Sequence, residues 1–381
     1  MFPLNRKAVK VARRQTRPVK AGLIGVGSEF PVTLQTMTNV PLSDIRGTLD
    51  QIERCAALGC DLIRAAVDDE KAERALGEVV KNSPIPLIAD IQFHWESALA
   101  AIKAGVAGVR LNPGLIRDEK KLRPIAQLAA EHDTCIRVGA NGGSVNPEAL
   151  AKNLEKFPSF EEAMADLLCR SAREQCEMLE GYGVRNIKVA LKSSSIPVTL
   201  ASYRRFAAET DYPLHLGLTE SGPPSYGIIK SSAALSVLLM EGIGDTVRIS
   251  LTAPPEEEII AGKKLLAACG LRKAAPELVS CPSCGRTEFD LFGLTGKVEQ
   301  LLKEIEEKGV ESSLNKVAVM GCPVNGPGEA RDADLGIAGS RNGKVILFRA
   351  GVVQGTYDAE PGFELFREEV LKSTRKRRTE N

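Results

Sequence analysis

The chain has 381 residues, is 43% hydrophobic and 4% aromatic, and carries a formal net charge of +1. That length supports a sizeable core and suggests two domains, or one large barrel with an appendage. Balanced charge and few rings leave no global footprint for nucleic acid, so an anionic ligand has to be held by a local cluster of cations.

No run approaches the roughly 18 apolar residues that a membrane span needs. The first residues, MFPLNRKAVKVARRQTRPV, are basic but lack the apolar centre of a signal peptide, and the reading is a cytoplasmic protein, with an organellar transit peptide as the rival.

Next, VKAGLIGVGSEFPV reads as a hairpin; its Gly25 and Gly27 do not complete a dinucleotide fingerprint, so a turn is the better account. From residue 30 to about 252, short β-branched runs alternate with helical stretches: PVTLQTM, DLIRAAV, PLIADI, GVRL, TCIRVG, NIKVAL, PLHLGLT and TVRISL. Eight such alternations predict a (β/α)8 TIM barrel, with a doubly wound open sheet as the runner-up. The gap between the fifth and sixth strands holds FEEAMADLLCRSAREQCEMLEGYG, a long helix preceded by a short extra one.

In such barrels chemistry sits at the C-terminal strand ends. Here those ends offer Thr38 and Asn39, Arg64, Asp90 with Gln92, Arg110 with Asn112, Arg137 and then Asn141, Lys192, Thr219 with Glu220, and Arg248 with Ser250. Side chains two apart on a strand share a face, so Asp90/Gln92, Arg110/Asn112 and Arg248/Ser250 should each point the same way. Five cations (Arg64, Arg110, Arg137, Lys192, Arg248) at one mouth repel unless an anion sits among them, and the expected ligand is a phosphate. The GANGGS run after the fifth strand could add backbone N–H donors. The blander reading pairs some of these cations with local carboxylates.

An odd count of nine cysteines in a chain lacking a secretion signal argues for reduced thiols. Cys55, Cys60, Cys135, Cys169, Cys176 and Cys269 lie in apolar helical or strand patterns and read as core filling. Cys281, Cys284 and Cys322 remain. The first two sit in 281-CPSCG-285, beyond a composition shift near residue 270. The expected organisation is a barrel over 1–268, a linker over 269–280, a second domain over 281–371 and a basic tail over 372–381.

Cys-x2-Cys alone is compatible with zinc, an iron–sulfur cluster or a redox pair. The third thiol ends an apolar strand in 316-KVAVMGCPVNGPGEA-330, and no fourth cysteine is near. His94, His132 and His215 all lie in the barrel, so the nearest side chain able to complete a site is Glu329. Three thiolates and one exchangeable oxygen ligand suit a four-iron cluster with one iron open to chemistry; a plain structural turn with Glu329 in solvent is the alternative.

Taken together, LQTMTNV, IADIQF, VRLNPG, RVGANGGS, LGLTESG, DTVRISLT, SCPSCGRT and VAVMGCPVNGPGEA resemble the 4-hydroxy-3-methylbut-2-enyl diphosphate synthases, bacterial iron–sulfur reductases of the non-mevalonate isoprenoid pathway. The similarity runs from about residue 13 to 370. It implies a TIM barrel followed by a smaller α/β domain, sulfite-reductase-like, holding a 4Fe-4S cluster. It also implies a homodimer in which the cluster domain of one chain caps the barrel of the other, and flavodoxin or ferredoxin as electron donor. Carried over by position, Cys281, Cys284, Cys322 and Glu329 resemble the cluster ligands. Arg110, Asn112, Arg137, Asn141, Lys192, Thr219, Glu220, Arg248 and Ser250 match substrate-contacting positions, and Asn325 a residue beside the substrate in the cluster domain; Arg64 and Asp90 complete the expected mouth. Gln92 stands where the family usually has His, Leu115 where Asn is usual, and SGPPSYG replaces a more glycine-rich loop.

The implied reaction is the two-electron reductive ring opening of 2-C-methyl-D-erythritol 2,4-cyclodiphosphate, with loss of water. Glu329 and Glu220 are the expected catalytic carboxylates, the latter for proton handling or hydroxyl binding. Two other classes remain: a phosphosugar lyase or aldolase with a structural zinc, using Lys188 or Lys192 as a Schiff base, and a non-catalytic redox sensor.

Overall fold

Two short strands open the described chain, β1 (Val19–Ala21) and β2 (Ile24–Val26), paired antiparallel as the expected hairpin. Eight more follow: β3 (Thr33–Met37), β4 (Leu62–Ala66), β5 (Leu87–Asp90), β6 (Gly108–Leu111), β7 (Cys135–Asn141), β8 (Ile187–Lys192), β9 (His215–Leu216) and β10 (Thr246–Val247). This computed structural model describes residues 11–92, 94–112, 116, 118–272, 276–287, 289–307, 310–322 and 330–376. The chain divides into two units, 1–273 and 274–381.

In the first unit β3 to β10 all run parallel, and β3 pairs with both β4 and β10, so the sheet curls into a barrel rather than an open sheet. The ring closes between β8 and β9 through one bridge, Val189 to Leu214, with Val189 N donating to Pro213 O at 2.9 Å. A side chain supplies a further rung there. The buried Tyr203 hydroxyl accepts from Leu191 N at 3.1 Å and donates to His215 O at 2.5 Å, joining the two strands.

The surrounding helices form for local reasons. In the helix Glu70–Asn82, Asp69 caps the N-terminus by accepting from Ala72 N at 2.7 Å, and Ala72, Ala75, Leu76 and Val79 line the buried stripe. The same logic places Ser195 before Ile196–Glu209 and Ser159 before Phe160–Gly181; the expected extra helix is Pro147–Leu154. The hairpin plugs the barrel's N-terminal end, where Ala21 packs with Leu62, Ile88, Ala107 and Cys135. The basic N-terminal residues tie this end down: Arg13 pairs with Asp245 at 2.6 Å, and Arg14 donates to the carbonyls of Ala207, Thr210 and Tyr212.

The second unit is a five-stranded sheet in the order β11 (Glu277–Ser280), β13 (Lys316–Met320), β14 (Leu335–Gly339), β15 (Lys344–Arg349), β16 (Val352–Asp358). The first three are parallel and the last two antiparallel. Helices Leu291–Glu307 and Ala359–Lys372 cover one face, packing Val298, Leu301, Ile305 and Phe366 on Val317, Val319 and Ile337.

Two expected boundaries move. Residues 277–280, expected in a linker, form a sheet strand in register with β13, with Leu278 packed into one cluster and Val279 into another, and Arg272 is held by Asp61 at 2.6 Å. Within the expected tail, Thr374–Lys376 (β17) pair antiparallel with Val310–Ser312 (β12).

Candidate functional site

Asp90, Arg110, Arg137 and Lys188 are register partners on four consecutive strands, β5 to β8. Register partners share a face, so one carboxylate and three cations form a belt inside the barrel, and all four are buried. Asp90 lies 3.3 Å from Arg110 Nη1 and 3.6 Å from Arg64 Nε. Burial pushes its carboxyl up, but the pull of Arg64, Arg110 and Arg137 outweighs that and holds it below the usual carboxylate range.

Asn141 is satisfied with its amide turned so that Oδ1 accepts from Arg110 Nη2 at 3.0 Å and Nδ2 donates to Ala140 O at 3.2 Å. The run after β7 folds as a 3₁₀ turn, Gly142–Ser144, whose Ser144 Oγ accepts from Asn112 Nδ2 at 3.4 Å. Lys192 is the register partner of Asn141 on β8. Its ammonium fits because Gly217, just after β9, has no side chain: a Cβ there would lie 2.6 Å from Lys192 Nζ.

Arg248 is clamped by a residue that the sequence reading missed. Glu258, from the helix Pro255–Ala268, accepts from Arg248 Nε at 3.0 Å and Nη2 at 3.2 Å, and also from Leu251 N and Thr36 Oγ1. Met37 Sδ lies 3.0 Å from Arg64 Nη2 and 3.7 Å from Arg248 Nη1, placing a polarizable sulfur between two guanidiniums. Thr219 and Ser250 are half-buried, and Thr219 N donates to Ser193 O at 3.3 Å. Glu220 is exposed, with φ +55°, a conformation that a non-glycine residue adopts at a cost.

The expected pairing of some cations with carboxylates and the expected surplus are both present. Arg64, Arg110, Arg137, Lys188, Lys192 and Arg248 face two carboxylates, Asp90 and Glu258. Like charges 4 Å apart repel by about 4 kcal/mol at an effective dielectric of 20. The strain shows in the titration of the buried members. Arg64 is lowered to about 10, by burial first, with Arg248 and Arg110 adding to it against the pull of Asp90. Arg137 and Lys192 are driven well below their usual values, again by burial first and then by neighbouring cations.

Among the described residues, members of this belt and other groups of the barrel interior are left without hydrogen-bond partners: buried Arg137 Nε and Nη1, Lys188 Nζ, His215 Nε2 and both amide atoms of Gln35. Buried orphan donors of this kind mark a site that receives a ligand or water. Period two would have found them, since Gln35 and Met37, and Lys188 and Lys192, share strand faces. Gln92 is half-buried; in the SGPPSYG run, Ser221 is buried and accepts from Ser231 Oγ at 3.2 Å, and Pro224 begins the helix Pro224–Met240.

In the second unit Cys281 is half-buried, Cys284 exposed and Cys322 buried. Cys281 Sγ accepts from Gly321 N at 3.1 Å, and a Cβ at Gly321 would lie 3.1 Å from that sulfur and 2.7 Å from Thr287 Oγ1. Thr287 Oγ1 in turn accepts from Cys284 N at 3.4 Å, and Ser283 between the two cysteines has φ +66°. Asn325, Glu329 and Leu115 lie outside the described residues. Among the described residues no three Cys, His, Asp or Glu side chains converge on a single ion. The second unit holds three cysteines and no histidine, so Cys and His alone do not close a zinc site there, whereas three thiolates can anchor three irons of a cubane. The other six cysteines are buried, as expected of core residues.

A TIM barrel with a cation-rich mouth, followed by a mixed-sheet domain that carries three cysteines, defines a two-domain α/β barrel enzyme. Residues 16–263 match the GcpE TIM-barrel domain, and residues 277–372 match the GcpE protein C-terminal domain. The chain belongs to the GcpE family. It is 44% identical over 360 residues to the 4-hydroxy-3-methylbut-2-en-1-yl diphosphate synthase (flavodoxin) of Desulfotalea psychrophila, covering 94% of this chain and 96% of that protein. The same-named protein of Lawsonia intracellularis is 43% identical over 360 residues, covering 94% and 97%. Among solved structures, the dihydropteroate synthase of Yersinia pestis matches at a TM-score of 0.47 and 14% identity, covering 66% of this chain and 98% of that one.

Proposed function

We propose that this chain is an oxidoreductase that opens and dehydrates 2-C-methyl-D-erythritol 2,4-cyclodiphosphate to 4-hydroxy-3-methylbut-2-enyl diphosphate, with flavodoxin as electron donor. The relatives' shared name supports the reaction and the donor. The observation that carries the reading is the cation surplus around Asp90 and Glu258, which suits a diphosphate. The lyase and redox-sensor readings have no comparable support.

Arg110, Arg137, Lys192 and Arg248 hold the diphosphate, while Asn112, Asn141, Thr219 and Ser250 orient the carbon skeleton through hydrogen bonds. Asp90 and Glu258 fix the guanidiniums before the ligand arrives, so little reorganisation remains to be done on binding. Glu220, at the mouth, handles a proton for the departing oxygen. Cys281, Cys284 and Cys322, with Glu329 as an exchangeable fourth ligand, would hold a 4Fe-4S cluster, and Asn325 would stand beside the substrate. When bound, the cluster supplies single electrons and a Lewis-acidic iron. A homodimer that sets the second domain of one chain over the barrel of the other would unite the two halves of the site.

Anaerobic purification, iron and sulfide counting, and a product assay on the cyclic diphosphate with flavodoxin or a low-potential dye test this reading. Four irons, four sulfides and the linear diphosphate are expected; protein without acid-labile sulfide after reconstitution would overturn it.

A further inference from the structure

Strands β11, β13 and β14 are parallel, with Ser280 in register with Val319 and Met320 with Ala338. The segments that follow them therefore leave the sheet at one end: Cys281 onward, Gly321 with Cys322, and the turn after Gly339. A side chain at Gly339 would strike Gly321 O at 2.9 Å, so that turn starts beside the thiol loops. It is a tight hairpin into β15, closed by Ser340 N donating to Lys344 O at 2.7 Å, with Asn342 and Gly343 both at positive φ (61° and 70°). Asn and Gly tolerate that conformation, which gives the turn a fixed shape.

The turn carries Arg341 and Lys344, and the loop after Cys284 carries Arg286. All three are exposed and have no side-chain hydrogen bond or ion pair among the described residues. At the opposite end of the same sheet the cations are matched: Lys316 to Asp332 at 2.6 Å, and Arg349 to Glu369 at 2.6 Å. The nearby acid Asp290 is engaged, accepting from Gly293 N at the start of a helix. Beside it Phe292 is 77% exposed, an aromatic left in water one residue from Leu291, whose side chain packs against Gly321. In a chain of net charge +1, unmatched cations and an exposed ring on segments that meet at the thiol end form a local feature and not a general background.

We propose that Arg286, Arg341 and Lys344, with Phe292 as the apolar anchor, form the docking surface for a small electron carrier whose redox group is ringed by carboxylates. This rests on the reductive reading above and deepens it by placing the electron donor. Cations at the rim steer an acidic partner and fix its orientation, while the desolvated ring contributes most of the short-range affinity. Docking there, in turn with the partner barrel of the proposed homodimer and not together with it, brings the carrier to the end of the sheet from which the three thiols emerge.

The test uses the full chain and purified flavodoxin, with affinity measured by direct titration at low and high ionic strength. The R341E/K344E variant should bind about tenfold more weakly and lose most of the salt dependence, while Phe292→Ser should weaken binding but keep it. Lys297→Glu, at a cation paired to Glu360, should change neither. Turnover driven by a reduced low-potential dye should equal wild type in every variant. Flavodoxin affinity and salt dependence unchanged in R341E/K344E overturn the surface whatever the dye assay gives. Absence of dye-driven turnover in the wild-type holoenzyme instead overturns the reductive reading.

Discussion

Glu258 grips Arg248 with both carboxylate oxygens, at 3.0 and 3.2 Å, from a helix that begins after the last barrel strand. Both side chains are largely buried, so the pair is shielded from solvent, and the same carboxylate accepts from Leu251 N and Thr36 Oγ1. Removing one partner strands the other charge, which costs roughly 3 kcal/mol. Glu258→Ala should lower stability by about that amount in denaturant titration and raise KM for the cyclic diphosphate. Glu258→Gln should keep the fold and show the KM effect alone.

Binding of a diphosphate should take up protons. Lys192 is lowered well below the usual lysine value, by burial and then by Arg137, Arg248 and Arg64. Its folded-state pKa lies below the unfolded one, so the unfolded chain holds more protons between the two, and stability rises with pH through that window, up to 10.5. A bound dianion raises the pKa again, and affinity falls as pH rises through the same window. Calorimetric titration with pyrophosphate in buffers of different ionisation heat should show net proton uptake, reduced in Lys192→Met.

Glu220 holds a strained backbone at φ +55°. Glycine relieves such strain, worth about 1 kcal/mol. Glu220→Gly should therefore raise Tm while lowering turnover at least tenfold, as expected of a lost proton-handling group. Raised Tm with unchanged turnover would remove the carboxylate from the mechanism.

The nine cysteines should separate by reactivity in cluster-free protein. Burial pushes the Cys55 and Cys169 thiols up to about 12 and drives those of Cys60 and Cys176 well above the usual thiol range, so none of these is a thiolate at neutral pH. Cys284 is exposed and Cys281 half-buried. A thiol reagent should modify Cys284 and Cys281 first, Cys322 slowly, and the other six only on unfolding. Reconstitution with iron and sulfide should protect all three of the first group.

The barrel was legible because its β-branched runs alternate eight times with helical stretches, and polar strand ends such as Arg110 and Asn112 stood out against apolar strands. Glu258 was not, because PPEEEII reads as the acidic first turn of a solvated helix, and only tertiary packing turns one of its three glutamates inward. Gln35 was hidden for a related reason: it lies mid-strand, where hydrophobic layers are expected, and Lys188 stood out in the sequence only as a Schiff-base candidate and not as a member of the cation belt. The strand Glu277–Ser280 looked like linker because it is an edge with half-exposed residues, and its apolar signal is correspondingly weak.

Tyr203 gives the cylinder a parting line. Elsewhere the staves are joined by backbone ladders, six residues long between β7 and β8, but along this one joint a phenol oxygen stands in for a missing rung. Lys192 ends one stave at that joint and Thr219 follows the other, so the wall proposed to hold the diphosphate is also the wall most readily loosened. A scaffold pinned at one joint by a lone backbone bridge and a hydroxyl can slacken beside its ligand while the rest of the drum stays shut.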